Sequence, residues 1–141
     1  MSDSAATYKD TLTLSQTAGT GTWESGDPEP PQDTIPPNKI DLGIVPTGPK
    51  TSVTLTWIAP GDDGSVGTAT SYDLRRSTAQ ITSSNFAGAT AITGEPAPKP
   101  AGSTETFTVN GLDATLTYYF AIKAADEVPN WSIMSNVVVR Q

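Results

Sequence analysis

The stretch VTLTW at Val53–Trp57 decides the fold class of this chain. Its apolar side chains, Val53, Leu55 and Trp57, fall on one side of an extended backbone, and its threonines fall on the other. A period of two is expected of a β-strand that buries one face. The same alternation runs through Tyr118–Ala124, where every second residue from Tyr118 onward is apolar. Both segments are therefore predicted to be strands.

Similar short segments follow one another after Pro37, and turn sequences rich in Gly, Pro, Asn and Asp separate them. The segments are Ile40–Ile44, Tyr72–Leu74, Phe107–Val109 and Val137–Val139, and in each the two end residues share the buried side. No segment has a convincing helical period, although Ser83–Ala89 suits a single turn. Six or seven short strands without helices predict a sandwich or a barrel.

The composition argues against nucleic acids and membranes as partners. The 141 residues carry a net charge of −7 with a pI near 4.3, and the basic residues are scattered. Nucleic acids and anionic membrane surfaces are bound by clustered Lys and Arg, so neither is expected as a partner. No apolar stretch is long enough to insert across a bilayer.

Catalytic chemistry is limited by the residue types present, because the chain contains neither histidine nor cysteine. Nucleophilic sites of the Ser-His-Asp and Cys-His kinds, and most zinc, copper and haem sites, require those residues. Small sandwiches also offer no cleft in which two carboxylates could face each other across a substrate. We therefore predict that the chain is not an enzyme and that it holds no cofactor other than the calcium ion considered below.

Two parts of the chain differ in character, a leader at residues 1–35 and a predicted sandwich at residues 36–141. The stretch Gly26–Pro37 has five prolines in twelve residues, which predicts a semi-rigid linker of polyproline type. Six acidic residues against one lysine give the leader a net charge of −5, out of −7 for the whole chain. Ahead of the linker, Thr7–Ser15 alternates as one candidate strand, whose shared face holds Tyr8, Leu12 and Leu14.

Two interpretations of Thr7–Ser15 remain open. A lone strand is not stable by itself, so the segment is either a disordered tail or the last strand of a neighbouring domain. In the other interpretation, the segment is a strand donated to a sheet edge of another chain. The start of the chain has no signal-peptide pattern, which fits a removed signal or an internal piece of a longer protein.

After the leader, the chain resembles a fibronectin type III domain of the kind found in prokaryotic secreted and surface proteins. The resemblance covers roughly Asp33–Gln141 and departs from the family pattern at Ala114 and Leu116, where proline and threonine are frequent. It is carried by TIPPNKIDL (34–42), VTLTW (53–57), PGDDG with TATSYDLR (60–64 and 68–75), LDATLTYYF (112–120) and DEVPNWS (126–132). No Arg-Gly-Asp triplet is present, so integrin binding is not carried over.

The resemblance implies an all-β fold, a seven-stranded antiparallel immunoglobulin-like sandwich with the leader extended from it. It also implies an extracellular or cell-surface location. Tyr118 takes the tyrosine-corner position, where we expect its hydroxyl to bond a nearby backbone carbonyl. The residues expected to have structural roles in the core are Trp57, Tyr72, Leu112, Tyr118 and Phe120.

Four acidic residues suggest a calcium site. Asp62 and Asp63 lie in one loop and Asp126 and Glu127 in another, and the resemblance places both loops at the same end of the sandwich. Ca²⁺ takes six to eight oxygen ligands, which carboxylates and carbonyls supply. The alternative is that the Pro-Gly-Asp-Asp-Gly turn is ordinary and that its acids are solvated, since the spacing lacks the ligand alternation of a dedicated calcium loop.

Trp131 follows in the second loop and has two interpretations. It is either an exposed anchor that stacks on a sugar ring or a partner, or a side chain that folds back over the open end of the sandwich. The resemblance favours the second.

Three functions are compatible with these features. The first is a non-catalytic spacer or protein-interaction module of an extracellular or surface multidomain protein, for example one accessory to a polysaccharide-degrading enzyme. In this case the chain is a monomer whose partners are neighbouring domains, another protein or a polysaccharide. The second is a subunit of a surface filament, an adhesin or a virus-particle decoration that assembles through the N-terminal strand. The third is a module that binds a ligand or calcium at the loop end.

Overall fold

The computed structural model describes residues 30–45 and 48–141. Within them, Asp33–Gln141 forms one compact unit. Tyr8, Leu12 and Leu14 lie outside the described residues, so the leader strand stays a prediction. No helix in the described part of the chain has the length and apolar character needed to cross a membrane.

Seven β-strands and one 3-10 helix make up the described structure. The helix covers Phe86–Gly88, inside the segment predicted to form a single turn. The strands are β1 (Gly43–Val45), β2 (Val53–Ile58), β3 (Ser71–Ser77), β4 (Thr90–Ala91), β5 (Thr104–Val109), β6 (Tyr118–Ala125) and β7 (Val138–Arg140).

The strands form two sheets, and every strand pair is antiparallel. One sheet has the order β1-β2-β5 and the other the order β4-β3-β6-β7. The register of the central pairs sets Leu55 opposite Phe107 and Leu74 opposite Ile122, so that apolar residues of neighbouring strands share the inner face. The predicted seven-stranded antiparallel sandwich is confirmed.

The main core lies between the two sheets. The structure places in it all five residues expected to have structural roles, and Phe120 has no exposed surface. The buried members of this core are Ile40, Leu42, Val53, Leu55, Trp57, Ala69, Tyr72, Leu74, Val109, Leu112, Tyr118, Phe120, Ile122 and Ala124. Trp57 meets Tyr72 edge to face, with their ring centroids 5.3 Å apart.

The tyrosine corner is present in a modified form. The hydroxyl oxygen of Tyr118 accepts a 3.0 Å hydrogen bond from the amide of Asp113, whereas we expected the hydroxyl to contact a backbone carbonyl. The Asp113 carboxylate accepts hydrogen bonds from the amide and the hydroxyl of Thr115, which close the turn. This turn directs the amide of Asp113 toward the tyrosine, so the hydroxyl acts as an acceptor.

A second cluster covers the outer face of the four-stranded sheet, which sequence alternation did not predict. Ile81 and Phe86, from the connection between β3 and β4, are buried there against Ala121. The Phe86 ring lies close to two cations, with Lys123 Nζ 4.8 Å and Arg75 Cζ 5.4 Å from its centroid. Arg75 also donates hydrogen bonds to the carbonyls of residues 87 and 89 and to the carboxylate of Asp73. The connection is therefore fastened to the sheet.

The valines at the end of the chain do not face in the predicted directions. Val138 packs against the main core and Val137 against the outer cluster, whereas Val139 is 42% exposed. The predicted inward pair of Val137 and Val139 is therefore wrong. The reason lies upstream, where the hydroxyls of Ser132 and Ser135 accept hydrogen bonds from β6 amides, so the approach to β7 is not a regular alternating strand.

Candidate loop-end site

Three segments meet at one end of the sandwich, which we call the loop end: residues 33–38, residues 60–67 between β2 and β3, and residues 126–131 after β6. The amide of Asn38 donates to the carbonyl of Gly64, and the amide of Gly64 donates to the carbonyl of Pro36, both at 3.0 Å. The side-chain amide of Asn130 donates to the carbonyl of Asp33 at 3.1 Å. These bonds fasten residues 33–38 to both loops.

The loop between β2 and β3 is tight because it turns back on itself. The amides of Asp62 and Asp63 both donate to the carbonyl of Val66, and the amide of Val66 donates to the carbonyl of Asp63. A Cβ at Gly61 would lie 2.3 Å from the backbone of Val66, so only glycine fits there. The PGDDG stretch thus fixes the backbone that carries Asp62.

Asp126 stabilises the loop in which it lies. Its side chain is buried, and it accepts hydrogen bonds from the amides of Val128 and Asn130 and from the side-chain amide of Asn130. Burial acts to raise the pKa of Asp126, but these hydrogen bonds outweigh burial and lower the pKa. Asp126 is therefore a charged group that organises its own turn.

The carboxylates of Asp33, Asp62 and Glu127 converge at the loop end. Each has an oxygen within 4.8 Å of one on each of the others. Two oxygens that ligate the same Ca²⁺ at about 2.4 Å lie at most about 4.8 Å apart. Oδ1 of Asp62 is shielded from solvent and has no hydrogen-bond partner among the described residues. The separation and chemistry of these oxygens therefore fit a calcium ion.

The proximity of the acids disturbs their titration. Partial burial, followed by the negative charge of Asp62, raises the pKa of Glu127. Partial burial also raises the pKa of Asp63, followed by the charges of Asp33 and Asp62. Carboxylates that are held close together repel one another, and this repulsion favours their protonated form or the binding of a cation.

The four acids predicted as calcium ligands therefore occupy different positions. Asp62 and Glu127 stand together, and Asp63 lies close enough to Asp62 to be affected by its charge. Asp126 instead directs its oxygens to the backbone of its own loop. The predicted calcium site itself stays a prediction.

Asp33 is the member of the cluster that sequence analysis missed. We assigned it to the leader because prolines surround it. Its carboxylate accepts a 3.0 Å hydrogen bond from the amide of Ile35, which turns the chain just before it meets the loops. The signal available in the sequence was an acid directly before TIPP, the first stretch of the resemblance.

Trp131 lies at the edge of the loop end. It forms an isolated bridge with Ala125, and its side chain is 44% exposed. Much of the indole surface is therefore accessible, and the side chain does not fold completely back over the sandwich.

A curated relative of this chain is much longer than the chain. The human protein "Calcium-activated chloride channel regulator 2" is 34% identical over 125 residues, which cover 77% of this chain. The chain spans only 13% of the length of that protein. No family model matches the chain.

Solved structures that match about three quarters of this chain include proteins with fibronectin type III domains, two of them in chains much longer than the matched part. A Fn3-like protein from Clostridium thermocellum is 20% identical, with 76% of this chain and 91% of that chain covered and a TM-score of 0.49. The FN1–FN3 domains of chicken CNTN1 are 22% identical, with 75% and 33% covered and a TM-score of 0.49. The twitchin kinase region of C. elegans is 21% identical, with 72% and 16% covered and a TM-score of 0.48.

Proposed function

We propose that this chain is a non-catalytic structural or protein-interaction module of an extracellular or surface multidomain protein, of the kind found in prokaryotes. The observation that carries the proposal is how the buried polar groups are used. Asp126 closes its own loop, and Glu105 accepts hydrogen bonds from Tyr72 and from the amide of Lys99. With no histidine or cysteine in the chain, these groups serve the fold rather than a reaction.

The test is whether the sandwich is autonomous. We expect the full chain and a version without residues 1–29 to unfold at the same temperature, because the compact unit begins at Asp33. A truncated chain that unfolds at a much lower temperature would contradict a self-contained spacer.

A role beside a polysaccharide-degrading enzyme is the finer form of this proposal. The exposed indole of Trp131 supports it, because aromatic faces with one polar tip are suited to partly wet contacts. Affinity electrophoresis in gels that contain soluble polysaccharides tests it. Retardation should be lost in Trp131→Ala and kept in the control Trp23→Ala, which changes the same residue type in the leader. No retardation in any polysaccharide would leave the protein-interaction role.

A second function is assembly of copies through the N-terminal strand, as in a surface filament, an adhesin or a virus-particle decoration. It is supported by the alternation of Thr7–Ser15 and by the proline-rich linker that separates it from the sandwich. Light scattering across a concentration range separates this function from the spacer. Association of the full chain, but not of the version without residues 1–29, supports donation by the leader. A full chain that is a monomer at all concentrations rejects it.

A third function is calcium binding at the loop end. The unpartnered Oδ1 of Asp62 beside the carboxylates of Asp33 and Glu127 favours it. In a sample stripped with EDTA, added Ca²⁺ should raise the unfolding temperature of the full chain. Asp62→Asn should abolish this rise, whereas Asp41→Asn, a control at an exposed acid elsewhere, should retain it. An equal rise in both variants, or none in the unmodified chain, would reject the site.

A further inference from the structure

One side of the sandwich is open between the edge strands β4 and β5. Within residues 30–45 and 48–141, each of these strands has a neighbouring strand on one side only. Between them runs a groove of about 440 Å³, whose lining includes Arg76, Ile92, Phe107 and Val109. Ile92 and Phe107 are only partly buried, so they offer apolar surface to an occupant. An edge strand beside an apolar groove is the surface to which an extended peptide adds as a further strand.

The opposite side of the sandwich is bridged by a side chain. Oδ1 of Asn136 accepts from the amide of Leu42 at 2.8 Å, and Nδ2 of Asn136 donates to the carbonyl of Leu42 at 2.9 Å. This amide takes the place of a strand neighbour between the segments before β1 and β7. Among the described residues, the β5 side therefore offers the longer unbridged edge.

The exposed pattern of β5 matches that of the leader segment Thr7–Ser15. In β5, the threonines at 104, 106 and 108 are exposed, while the residues between them face inward. If the leader segment is extended, as its alternation predicts, Thr11 and Thr13 share one face, and Leu12 and Leu14 share the other. Cross-strand threonine pairs are favourable, and leucines of an added strand would fall over the groove.

The groove and the leader segment also carry opposite charges. Arg76 is a cation in the lining of the groove, and its guanidinium lies 5.7 Å from the ring centroid of Tyr118. If the leader segment is extended, as its alternation predicts, Asp10 falls on the same face as Leu12 and Leu14. An added strand that buries its leucines would therefore bring Asp10 to the side of the groove where Arg76 lies.

The length of the linker limits how far the leader segment can lie from its own sandwich. Fourteen residues separate Ser15 from Pro30, the first described residue, and they span up to about 45 Å when extended. The prolines of Gly26–Pro37 are predicted to stiffen the part of the linker nearest the sandwich.

We propose that Thr7–Ser15 of one copy adds as a strand beside β5 of a second copy, with Leu12 and Leu14 in the groove and Asp10 near Arg76. The inference rests on the assembly function proposed above and names its acceptor surface. The occupant is thus a segment of this same chain, and repetition of the contact links copies in series.

The test uses paramagnetic broadening between two samples of the full chain. A nitroxide is attached at Ser15→Cys, which is unique because the chain has no cysteine, and this chain is mixed with an isotope-labelled copy. We expect loss of amide signals at residues 91–94 and 107–110 of the labelled copy. Leu12→Asp with Leu14→Asp in the spin-labelled chain should abolish the loss. Thr11→Asp with Thr13→Asp, which puts the same charges on the opposite face, should retain it.

Each other outcome overturns a defined part of the proposal. Absence of association by light scattering rejects strand donation itself. Association with broadening elsewhere keeps strand donation and rejects the groove as acceptor. Broadening of the groove only within the spin-labelled molecule shows that the leader occupies its own groove, which rejects the link between copies.

Discussion

The hydroxyl of Tyr72 donates a 2.7 Å hydrogen bond to Oε2 of Glu105, and the side chain of Glu105 has no exposed surface. The same oxygen accepts a 3.0 Å hydrogen bond from the amide of Lys99, whereas Oε1 is shielded and has no partner in the described structure. A buried carboxyl group with few donors depends strongly on each of them. The connection between β4 and β5 is therefore tied to the core through Glu105.

Tyr72→Phe should lower the free energy of unfolding by about 1.5–3 kcal/mol, because it removes a hydrogen bond to a buried carboxyl group while keeping the ring. Burial, together with the hydrogen bond to Glu105, raises the pKa of Tyr72, so its hydroxyl keeps the proton that it donates. Urea denaturation measures the change. Tyr119→Phe, in the outer cluster, is the matched control, and an equal loss in both variants would contradict the assigned role.

Trp57→Ala should lower the free energy of unfolding by about 3–5 kcal/mol, since it opens a cavity between the sheets where Trp57 meets Tyr72. Trp57→Phe should lose less, because part of the volume remains. The control is Trp131→Ala at an exposed position, for which we expect a change within about 0.5 kcal/mol. Similar losses at both tryptophans would mean that Trp57 is not a principal core residue.

Phe86→Ala should lower the free energy of unfolding by about 3 kcal/mol, because the ring is 3% exposed and lies against Arg75 and Lys123. Hydrogen exchange should then quicken in the connection between β3 and β4 and leave β2 and β5 protected. Ser83→Ala, in the same connection, should change neither the free energy of unfolding nor the rate of hydrogen exchange there. Uniform quickening over the whole sandwich would show that the outer cluster is not a separate layer.

Glu127→Gln should raise the unfolding temperature at pH 7 and leave it unchanged at pH 3. The folded state raises the pKa of Glu127, so the protonated form is the one that the fold prefers. Stability from this group is therefore fully present below its unfolded pKa and is lost as the pH rises through the folded pKa. Asp41→Gln is the control, and an equal rise at both pH values would contradict like-charge repulsion.

The inter-sheet core was the predictable part of the fold. Val53, Leu55 and Trp57 have a period of two because a sheet with one buried face sorts its residues in that way. The same rule cannot find Phe86, whose burial depends on a connection that lies over the outer face of β3 and β6. The same rule predicts that Val139 faces inward, and this prediction is wrong. The hydroxyls of two serines upstream accept backbone hydrogen bonds that a regular strand would have made itself.

The loop end was predictable only in part. Asp62 and Glu127 were expected at one end because the fibronectin type III resemblance places their loops there. Asp33 joins them through the contact between Asn130 and the carbonyl of Asp33, which links residues nearly a hundred positions apart. No local pattern reveals a contact of that kind.

The two ends of the compact unit lie at opposite poles of the sandwich. Asp33 is held at the loop end by Asn130, whereas Arg140 donates to the carbonyls of Ser52 and Pro49 at the far pole, where β2 begins. A pull on the chain at these two points acts along the strands. It loads the bonds of β1 to β2 and of β6 to β7 in shear, so they must break together rather than one after another. We therefore expect the sandwich to resist tension along its length.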